Sequence, residues 1–379
     1  MIYLDNAATS AFKPEGVITG VTEYLKHPGN PERGCHAASL NAAGLVLDTR
    51  MKLADFFGME DCSRVIFTGG LTESLNMVIN GLFSENDHVI TTIYEHNSVL
   101  RPLYRIGCEM TVCSVPGEME AEVRKNTRAV IMNHVSNVTG QVQDIAAAGK
   151  ICRKYGLLLI VDAGQSAGHV PLSMKDMGID ILCFSGHKGL MGMQGIGGIC
   201  IRTDENIRSI KAGGTGFDSF SRVQPEEYPY RLEAGTLNVP GIVSLYHGID
   251  FINEYTIENI AMHERKLRQR CLQQLEGIEG VEIYYGINCA AAADINVDLH
   301  SGISENIGII SFNIKGMDAG YIADQLSYRY DIAVRSGAHC APLIHEYYGI
   351  GSSVRISFGL NNTEGDVDSF IEALKQVIG

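Results

Sequence analysis

The chain has 379 residues, 45% of them hydrophobic and 20% charged, which is the composition of an ordinary globular protein with room for two or three domains. Acidic residues outnumber basic ones by 44 to 30, giving a net charge of −14, and no run of Lys or Arg is longer than two residues, so nucleic acid and anionic membranes are poor candidates for partners. The N-terminus lacks the basic and apolar segments of a secretory signal, and no stretch approaches the about 18 apolar residues of a membrane-spanning helix, so we expect a cytoplasmic protein.

Short apolar runs alternate with amphipathic stretches between residues 40 and 210. The runs lie at 65–67, 88–92, 129–132, 157–161, 181–184 and 199–201. Each is rich in Ile, Val and Leu, which indicates strands that are buried on both faces. Helices are predicted between them, notably over 72–82 and 145–155. The repeated βα units predict a doubly wound α/β domain whose ligands bind at the carboxyl ends of mostly parallel strands.

The pattern changes after about residue 240. Helices are predicted over 242–252, 257–275 and 364–377, and strands over 309–314, 332–334 and 354–358. These elements indicate a smaller α+β domain, with an irregular polar insertion at 290–306. We therefore expect a large domain over 15–240 and a small domain formed by 1–14 together with 241–379.

A glycine turn joins the first predicted strand to the first predicted helix. Gly69 and Gly70 leave backbone N–H groups open and Thr72 adds a hydroxyl, while a helix N-terminus favours an anion. The turn suits a phosphate, although it matches neither the Walker A nor the GxGxxG pattern and similar turns without phosphate are common.

Two further strands end in polar side chains. His96 follows the strand 88–92, where an imidazole can stack on a planar ligand or serve the fold alone. Asp162 ends the run 157–161, where its carboxylate can hold a cofactor's pyridine nitrogen protonated or cap the next helix. Gln165 follows and can donate to the same cofactor or lie on the helix surface.

Lys188 lies in a glycine-bearing turn just after the strand 181–184. Its amine can form a Schiff base with a carbonyl cofactor there. The alternative is a surface lysine in a loop, and Asp162 upstream favours the cofactor.

Cys340 lies in a predicted loop that contains Gly337, His339 and Pro342, with Arg335 close in sequence. Arg335 and His339 are predicted to favour its thiolate form as nearby cations. Arg355, on the predicted strand 354–358, suits a substrate carboxylate or a buried salt bridge.

Metal and serine-hydrolase chemistry are not indicated. The twelve histidines and ten cysteines show no HExxH or CxxC spacing, and there is no GxSxG motif. We expect no metal site, and we expect the cysteines to be reduced thiols, most of them in the core.

Taken together, these residues resemble those of class V (fold-type I) pyridoxal-phosphate (PLP) enzymes, and within them the cysteine desulfurase and selenocysteine lyase family. The resemblance runs almost end to end, from the Tyr-Leu-Asp-Asn-Ala-Ala segment that starts at Tyr3 to the Phe-Gly-Leu-Asn-Asn-Thr segment that starts at Phe358. The motifs are specific when they occur together in this order.

The resemblance implies a role for each matching residue. Lys188 is implied to be the Schiff-base lysine, with Asp162 on the pyridine nitrogen and Gln165 on the phenolic oxygen. His96 is implied to stack on the ring and to move protons. The residues implied at the phosphate are Gly70, Leu71, Thr72, Ser185 and His187.

The remaining matches concern the substrate and the oligomer. Asn137 is implied to face cofactor and substrate, Arg355 to bind the substrate carboxylate, and Arg335 to lie near the nucleophile. Thr236 matches a position that reaches the phosphate of the neighbouring subunit, which implies a homodimer with two shared sites.

The Arg-Ser-Gly-Ala-His-Cys segment at 335–340 resembles the group II desulfurases, which pass the persulfide to a separate small acceptor protein. The implied reaction converts L-cysteine to L-alanine with the sulfur left on Cys340, and L-selenocysteine fits the same chemistry. The alternatives are a class V aminotransferase or lyase acting on another amino acid, and an inactive scaffold that only binds a sulfur carrier.

The chain departs from the family pattern in three places. Leu71 replaces a common Ala or Thr, where only a backbone N–H is needed. Cys35 replaces an expected small residue and is either a second thiol near the site or an incidental cysteine. The stretch 290–306 has no counterpart in the family.

Overall fold

A computed structural model describes residues 1–32, 34–287 and 306–379. The predicted insertion at 290–306 therefore lies outside the described residues, except for Asn306. None of the described helices combines the length and the apolar character that crossing a membrane requires.

The secondary structure is numbered here in chain order. The strands are β1 (Ile2–Tyr3), β2 (Val65–Thr68), β3 (His88–Thr92), β4 (Glu109–Cys113), β5 (Thr127–Asn133), β6 (Leu158–Asp162), β7 (Ile181–Ser185), β8 (Gly197–Ile201), β9 (Val281–Tyr284), β10 (Ile309–Ile314), β11 (Ile332–Ala333), β12 (Arg335–Gly337) and β13 (Ser353–Ser357). The helices are α1 (Glu15–Lys26), α2 (Ala37–Phe56), α3 (Leu71–Leu82), α4 (Asn97–Ile106), α5 (Ile145–Tyr155), α6 (Met174–Met177), α7 (Val239–Tyr255), α8 (Ile257–Leu275), α9 (Ala319–Tyr330), α10 (Pro342–Tyr348) and α11 (Glu364–Ile378).

Seven strands form the central sheet, in the order β2-β8-β7-β6-β5-β3-β4. All neighbours are parallel except β8, which is antiparallel to both β2 and β7. Helices cover both faces: Ile131 of β5 packs into one apolar cluster with α3 and α4, whereas Val130 and Met132 pack into another with α2, α5 and α7. The expected α/β fold with a mostly parallel sheet is confirmed.

The C-terminal part forms a second, antiparallel sheet in the order β12-β13-β10-β9. Its core is an apolar cluster that includes Phe312 and Phe370 and also Leu4 from the N-terminus. Strand β1 pairs with β11, so the N-terminal strand lies with the C-terminal elements. The division into domains at residue 240 stays a prediction.

The strand predicted over 332–334 is present as β11 and ends one residue earlier, whereas the adjacent strand β12 was not predicted. Val334 separates the two strands, because β11 pairs with β1 and β12 pairs with β13 in two different sheets. This separation brings Arg335 directly opposite Arg355 in the β12-β13 register.

Candidate active site

Loops after the strands of the central sheet surround a cavity of about 340 Å³. Polar and small residues line most of it, as expected at the carboxyl ends of parallel strands. The lining residues are Gly69, Gly70, Leu71, Thr72, Glu73, His96, Ser98, Asn133, Val135, Asn137, Asp162, Gly164, Gln165, Ser185, His187, Lys188 and Gly195. The cavity thus brings together most of the residues that the sequence predicted.

One end of the cavity is built for an anion. The prediction that Gly69 and Gly70 leave open N–H groups is wrong, because these groups donate to Glu73 Oε2 at 2.5 Å and to Thr68 Oγ1 at 3.3 Å. Helix α3 begins here without a side-chain cap, after Gly70 at φ 145°, which leaves the N–H groups of its first turn to the cavity. The Thr72 hydroxyl lies 2.8 Å from the hydroxyl of Ser98. The buried Nδ1 of His187 has no hydrogen-bond partner, which leaves it available to a ligand. These groups fit a phosphate.

Lys188 and Asp162 also line the cavity. Burial lowers the pKa of Lys188 to about 8, against the attraction of the Asp162 carboxylate, so a useful share of the amine is unprotonated near neutral pH. Burial also raises the pKa of Asp162, although the Gly164 N–H donates to its Oδ1 at 2.8 Å. A protonated ring nitrogen placed against Asp162 would add to the attraction that Lys188 already exerts on this carboxylate.

His96 forms the N-cap of helix α4. Its Nδ1 accepts the backbone N–H of Ser98 at 3.0 Å, so in the neutral ring the proton resides on Nε2. Burial, and then the charge of Lys188, lower the pKa of His96 to about 4. A neutral ring held at one edge suits stacking on a planar ligand, while its only basic nitrogen is already engaged.

Asn137 connects the Lys188 cavity to the C-terminal part of the chain. Its Nδ2 donates to the His339 carbonyl at 2.8 Å, and its own carbonyl accepts from Arg355 Nη1 at 3.0 Å. Its buried Oδ1 has no partner and remains open to a ligand. Gln165 Nε2 donates to the Ala7 carbonyl at 2.9 Å, which fixes the amide at the cavity wall.

Arg355 forms the buried salt bridge that was one of its two predicted roles, and binding of a substrate carboxylate stays a prediction. It is 3% exposed and forms a salt bridge from Nη2 to Asp5 Oδ1 at 3.0 Å, while its buried Nε has no partner. Arg335 reaches the other oxygen of Asp5 at 3.4 Å. Asp5 therefore aligns two guanidinium groups, and Arg355 keeps a donor for a carboxylate.

Cys340 lies on the outer side of His96. Its carbonyl accepts the Asn97 N–H at 2.7 Å, and it and His339 both adopt positive φ, 56° and 48°. The exposed Cys340 lines a second cavity of about 320 Å³, here called the vestibule. The vestibule residues are Thr72, Asn76, His96, Asn97, Ser98, Arg101, Pro102, Arg105 and Cys340, three of which also line the first cavity.

The prediction that His339 is a cation beside Cys340 is wrong. Its Nε2 lies 3.1 Å from the Ser353 hydroxyl in a buried position, and burial lowers the pKa of His339 to about 3. The ring is therefore neutral at physiological pH and cannot favour a thiolate by charge. The predicted position of Arg335 near Cys340 stays a prediction, since the contact that Arg335 makes is with Asp5.

Four predicted or noted positions line neither cavity, namely Cys35, Thr236, Arg335 and Arg355, whereas Leu71 lines the first cavity. Thr236 is exposed and lines neither cavity, so its predicted role depends on a second subunit. Cys35 is an exposed thiol before α2 and is likewise absent from both linings. Leu71 packs so closely over Gly164 that a Cβ there would lie 2.4 Å from Leu71 Cδ2, which gives this departure a packing role.

Sequence reasoning missed three residues of the site. Asp5 belongs to the conspicuous segment that starts at Tyr3, but the sequence assigned it no role. Ser98 could have been predicted from its position two residues after His96, where its N–H donates to the imidazole. Glu95 is fully buried, and its Oε1 accepts from the Thr92 hydroxyl at 2.7 Å and from the Asn133 N–H at 3.0 Å. Burial raises the pKa of Glu95 to about 8, so this carboxyl ties together the loops after β3 and β5 largely in its protonated form below that pH.

Acidification is expected to destabilise the fold through buried histidines. Burial lowers the pKa of His134 from 6.5 to about 4, so between these pH values the unfolded chain binds a proton at this ring and the folded chain does not. The free energy of unfolding is therefore unaffected by this ring above pH 6.5 and decreases as the pH drops toward 4. At pH 5 the expected decrease from this one ring is about 2 kcal/mol. Urea unfolding at pH 7.5 and 5 measures it.

Two variants distinguish the effect of His134 from the effect of acid on the rest of the protein. His134→Gln should reduce the pH dependence of the unfolding free energy, whatever its absolute stability, whereas His27→Gln at an exposed position should leave it unchanged. Equal pH dependence in His134→Gln and the unmodified protein would contradict the assignment.

Comparison with known proteins adds an independent line of evidence. The family model of the class-V aminotransferases matches residues 2–370. Probable cysteine desulfurases from Methanothermobacter thermautotrophicus and Pyrococcus abyssi are 33% and 34% identical to this chain. The alignments cover 100% of this chain and 95% and 94% of the two relatives, respectively. The apo structure of a cysteine desulfurase from Thermococcus onnurineus NA1 has a TM-score of 0.89 at 33% identity, covering 100% of this chain and 94% of that one.

Proposed function

The chain belongs to the class-V aminotransferase family, and on that premise we propose that it is a PLP-dependent cysteine desulfurase, which converts L-cysteine to L-alanine and retains the sulfur on Cys340 as a persulfide. The single observation that supports this activity best is the position of Cys340. An exposed thiol lies in a vestibule that shares Thr72, His96 and Ser98 with the cavity of Lys188. An aminotransferase has no need of such a thiol.

The cavity residues fit the cofactor from end to end. The uncapped N-terminus of α3, Thr72 and the open Nδ1 of His187 would hold the phosphate. Asp162 would bind the pyridine nitrogen and His96 would cover the ring. Bound PLP supplies an electron sink that stabilises negative charge on the substrate's α-carbon.

The protein's own groups divide the remaining work. Lys188 would hold the cofactor until the substrate amine takes its place, and its Nζ would then carry the α-proton, because its lowered pKa leaves it partly unprotonated. We assign proton transfer to Lys188 in preference to His96, whose Nδ1 is already engaged with Ser98.

The substrate is oriented by its carboxylate. The free Nε of Arg355 and the nearby Arg335 would bind it, and the open Oδ1 of Asn137 would face the amino acid. The sulfur is then directed toward the vestibule. Cys340 attacks it, so that cysteine and the enzyme thiol yield alanine and the enzyme persulfide with no external oxidant or reductant.

The proposal extends to partners. We propose a homodimer in which the exposed Thr236 reaches the phosphate site of the second subunit, and a small acceptor protein that takes the persulfide. L-selenocysteine remains a second substrate of the same chemistry. Cytoplasmic residence is part of the proposal and is supported by the nine cysteines of the described residues, all of which are free thiols.

Product analysis tests the proposed function. PLP-loaded protein given L-cysteine and a thiol acceptor should form alanine and release sulfur in equal amounts, with no pyruvate or other keto acid. Keto-acid formation without sulfur release would identify an aminotransferase or another lyase instead. Protein that binds no PLP would support the inactive-scaffold alternative.

A further inference from the structure

The vestibule has a charge that the proposed desulfurase reaction does not require. Arg101 and Arg105 line it from helix α4, and no acidic side chain is among its lining residues. The guanidinium of Arg101 forms no hydrogen bond or ion pair within the described part of the chain, and that of Arg105 donates only to the neutral Oδ1 of Asn80 at 2.6 Å. Two guanidinium groups therefore face solvent beside Cys340 without a counter-charge.

This positive charge contrasts with the rest of the molecule. The chain carries a net charge of −14, so its overall field repels anions. The charge of Arg101 is felt as far as His96, where it adds to the lowering of the imidazole pKa. An anion that approaches Cys340 through the vestibule thus meets a local attraction.

The substrate does not account for these arginines. In the proposed function its carboxylate is bound by Arg355 and Arg335, neither of which lines the vestibule. The vestibule is a space of about 320 Å³, the size of a small-molecule site, on the outer side of His96. A second anionic molecule therefore has a place of its own.

We propose that the vestibule binds a second kind of persulfide acceptor besides the acceptor protein, and that Arg101 and Arg105 select for it a small thiol that carries a carboxylate. Guanidinium groups bind carboxylates through paired, charge-assisted hydrogen bonds. The bound carboxylate would hold the acceptor's sulfur within reach of Cys340. This inference rests on the proposed function, because it needs a persulfide on Cys340.

The transfer step is balanced without further reagents. The acceptor thiolate attacks the terminal sulfur of the Cys340 persulfide and forms a new S–S bond with its electron pair. The bond between the two sulfurs of the enzyme persulfide breaks, and its electron pair returns Cys340 to the thiolate. The transferred sulfur keeps its proton, and the positive vestibule stabilises the incoming thiolate as well as its carboxylate.

Paired acceptors test the inference on the PLP-loaded enzyme. Alanine formation from L-cysteine is measured with mercaptopropionate, which carries a carboxylate, and with mercaptoethanol, which is neutral. The readout is the ratio of kcat/KM for the two thiols, compared between variants so that the intrinsic reactivity of each thiol cancels. In the Arg101→Gln, Arg105→Gln double variant this ratio should fall by about tenfold.

Controls keep the test independent of folding. Arg101→Lys should retain part of the preference, and Arg329→Gln, at an exposed position on α9, should retain all of it. In the unmodified enzyme, added salt should weaken the preference for mercaptopropionate, because exposed charges are screened.

Each remaining outcome contradicts the inference. An unchanged ratio in the double variant, or an equal loss with both thiols, means that the arginines do not recognise the carboxylate. A higher KM for L-cysteine with an unchanged ratio means that the vestibule belongs to the substrate. If the unmodified enzyme forms no alanine with any thiol, the proposed function itself fails.

Discussion

Lys188→Ala is expected to abolish both covalent cofactor attachment and turnover. Borohydride reduction of the PLP-loaded protein should fix the cofactor on the peptide that contains Lys188 and leave the alanine variant unmodified. Alanine formation should fall by about 10⁴-fold, because the same Nζ is proposed to hold the cofactor and to carry the α-proton. Peptide mass spectrometry and alanine quantification measure the two effects.

Lys188→Ala is expected to retain non-covalent binding of the cofactor. The phosphate end of the cavity does not depend on Lys188, so PLP should still bind non-covalently through the N-terminus of α3 and Thr72. Lys175→Ala, at an exposed ion pair with Glu60, is the matched control and should behave as the unmodified protein does. Reduction that fixes the cofactor on another lysine would contradict the assignment.

Cys340→Ser should separate cofactor chemistry from sulfur transfer. We expect PLP binding and the borohydride adduct on Lys188 to be unchanged, while alanine formation from L-cysteine falls by about 10³-fold or more, since a hydroxyl is a far weaker nucleophile toward sulfur. Steady-state alanine formation, with absorbance to follow the cofactor, measures both.

Cys35→Ser is the matched control for Cys340→Ser. Both thiols are exposed, but only Cys340 lines the vestibule. Cys35→Ser should therefore keep the rate of the unmodified enzyme. A large loss in Cys35→Ser together with a small one in Cys340→Ser would reverse the assignment of the nucleophile. Selenocysteine turnover that survives Cys340→Ser would favour the lyase activity.

The central sheet was predictable because its strands are buried on both faces and so read as continuous apolar runs. Helix α2 was not, since its buried stripe includes the polar residues Ser39, Thr49 and Arg50 and hides the apolar periodicity. Arg50 is buried in a 2.6 Å salt bridge with Glu233, a partner that only the tertiary fold supplies. Strand β4 was missed because it lies at the sheet edge and is mostly only partly buried.

Some residues of the site could also be predicted from the sequence, and others could not. Lys188 and Asp162 were predictable because each follows a strand, and parallel strands bring their carboxyl ends to one edge. The charge state of His339 was not predictable, since it depends on burial and on Ser353, which the sequence does not reveal. Nor did the sequence predict that Asp5 aligns two arginines, because that contact joins the first and last parts of the chain.

The location of the sulfur after one turnover tests the account most directly. PLP-loaded protein is given a limiting amount of L-cysteine without any acceptor, the thiols are alkylated, and peptides are analysed by mass spectrometry. We predict one added sulfur atom on the peptide that contains Cys340 and an equal amount of alanine. Alanine formed with the added sulfur on another cysteine, or with no peptide carrying it, would contradict the account.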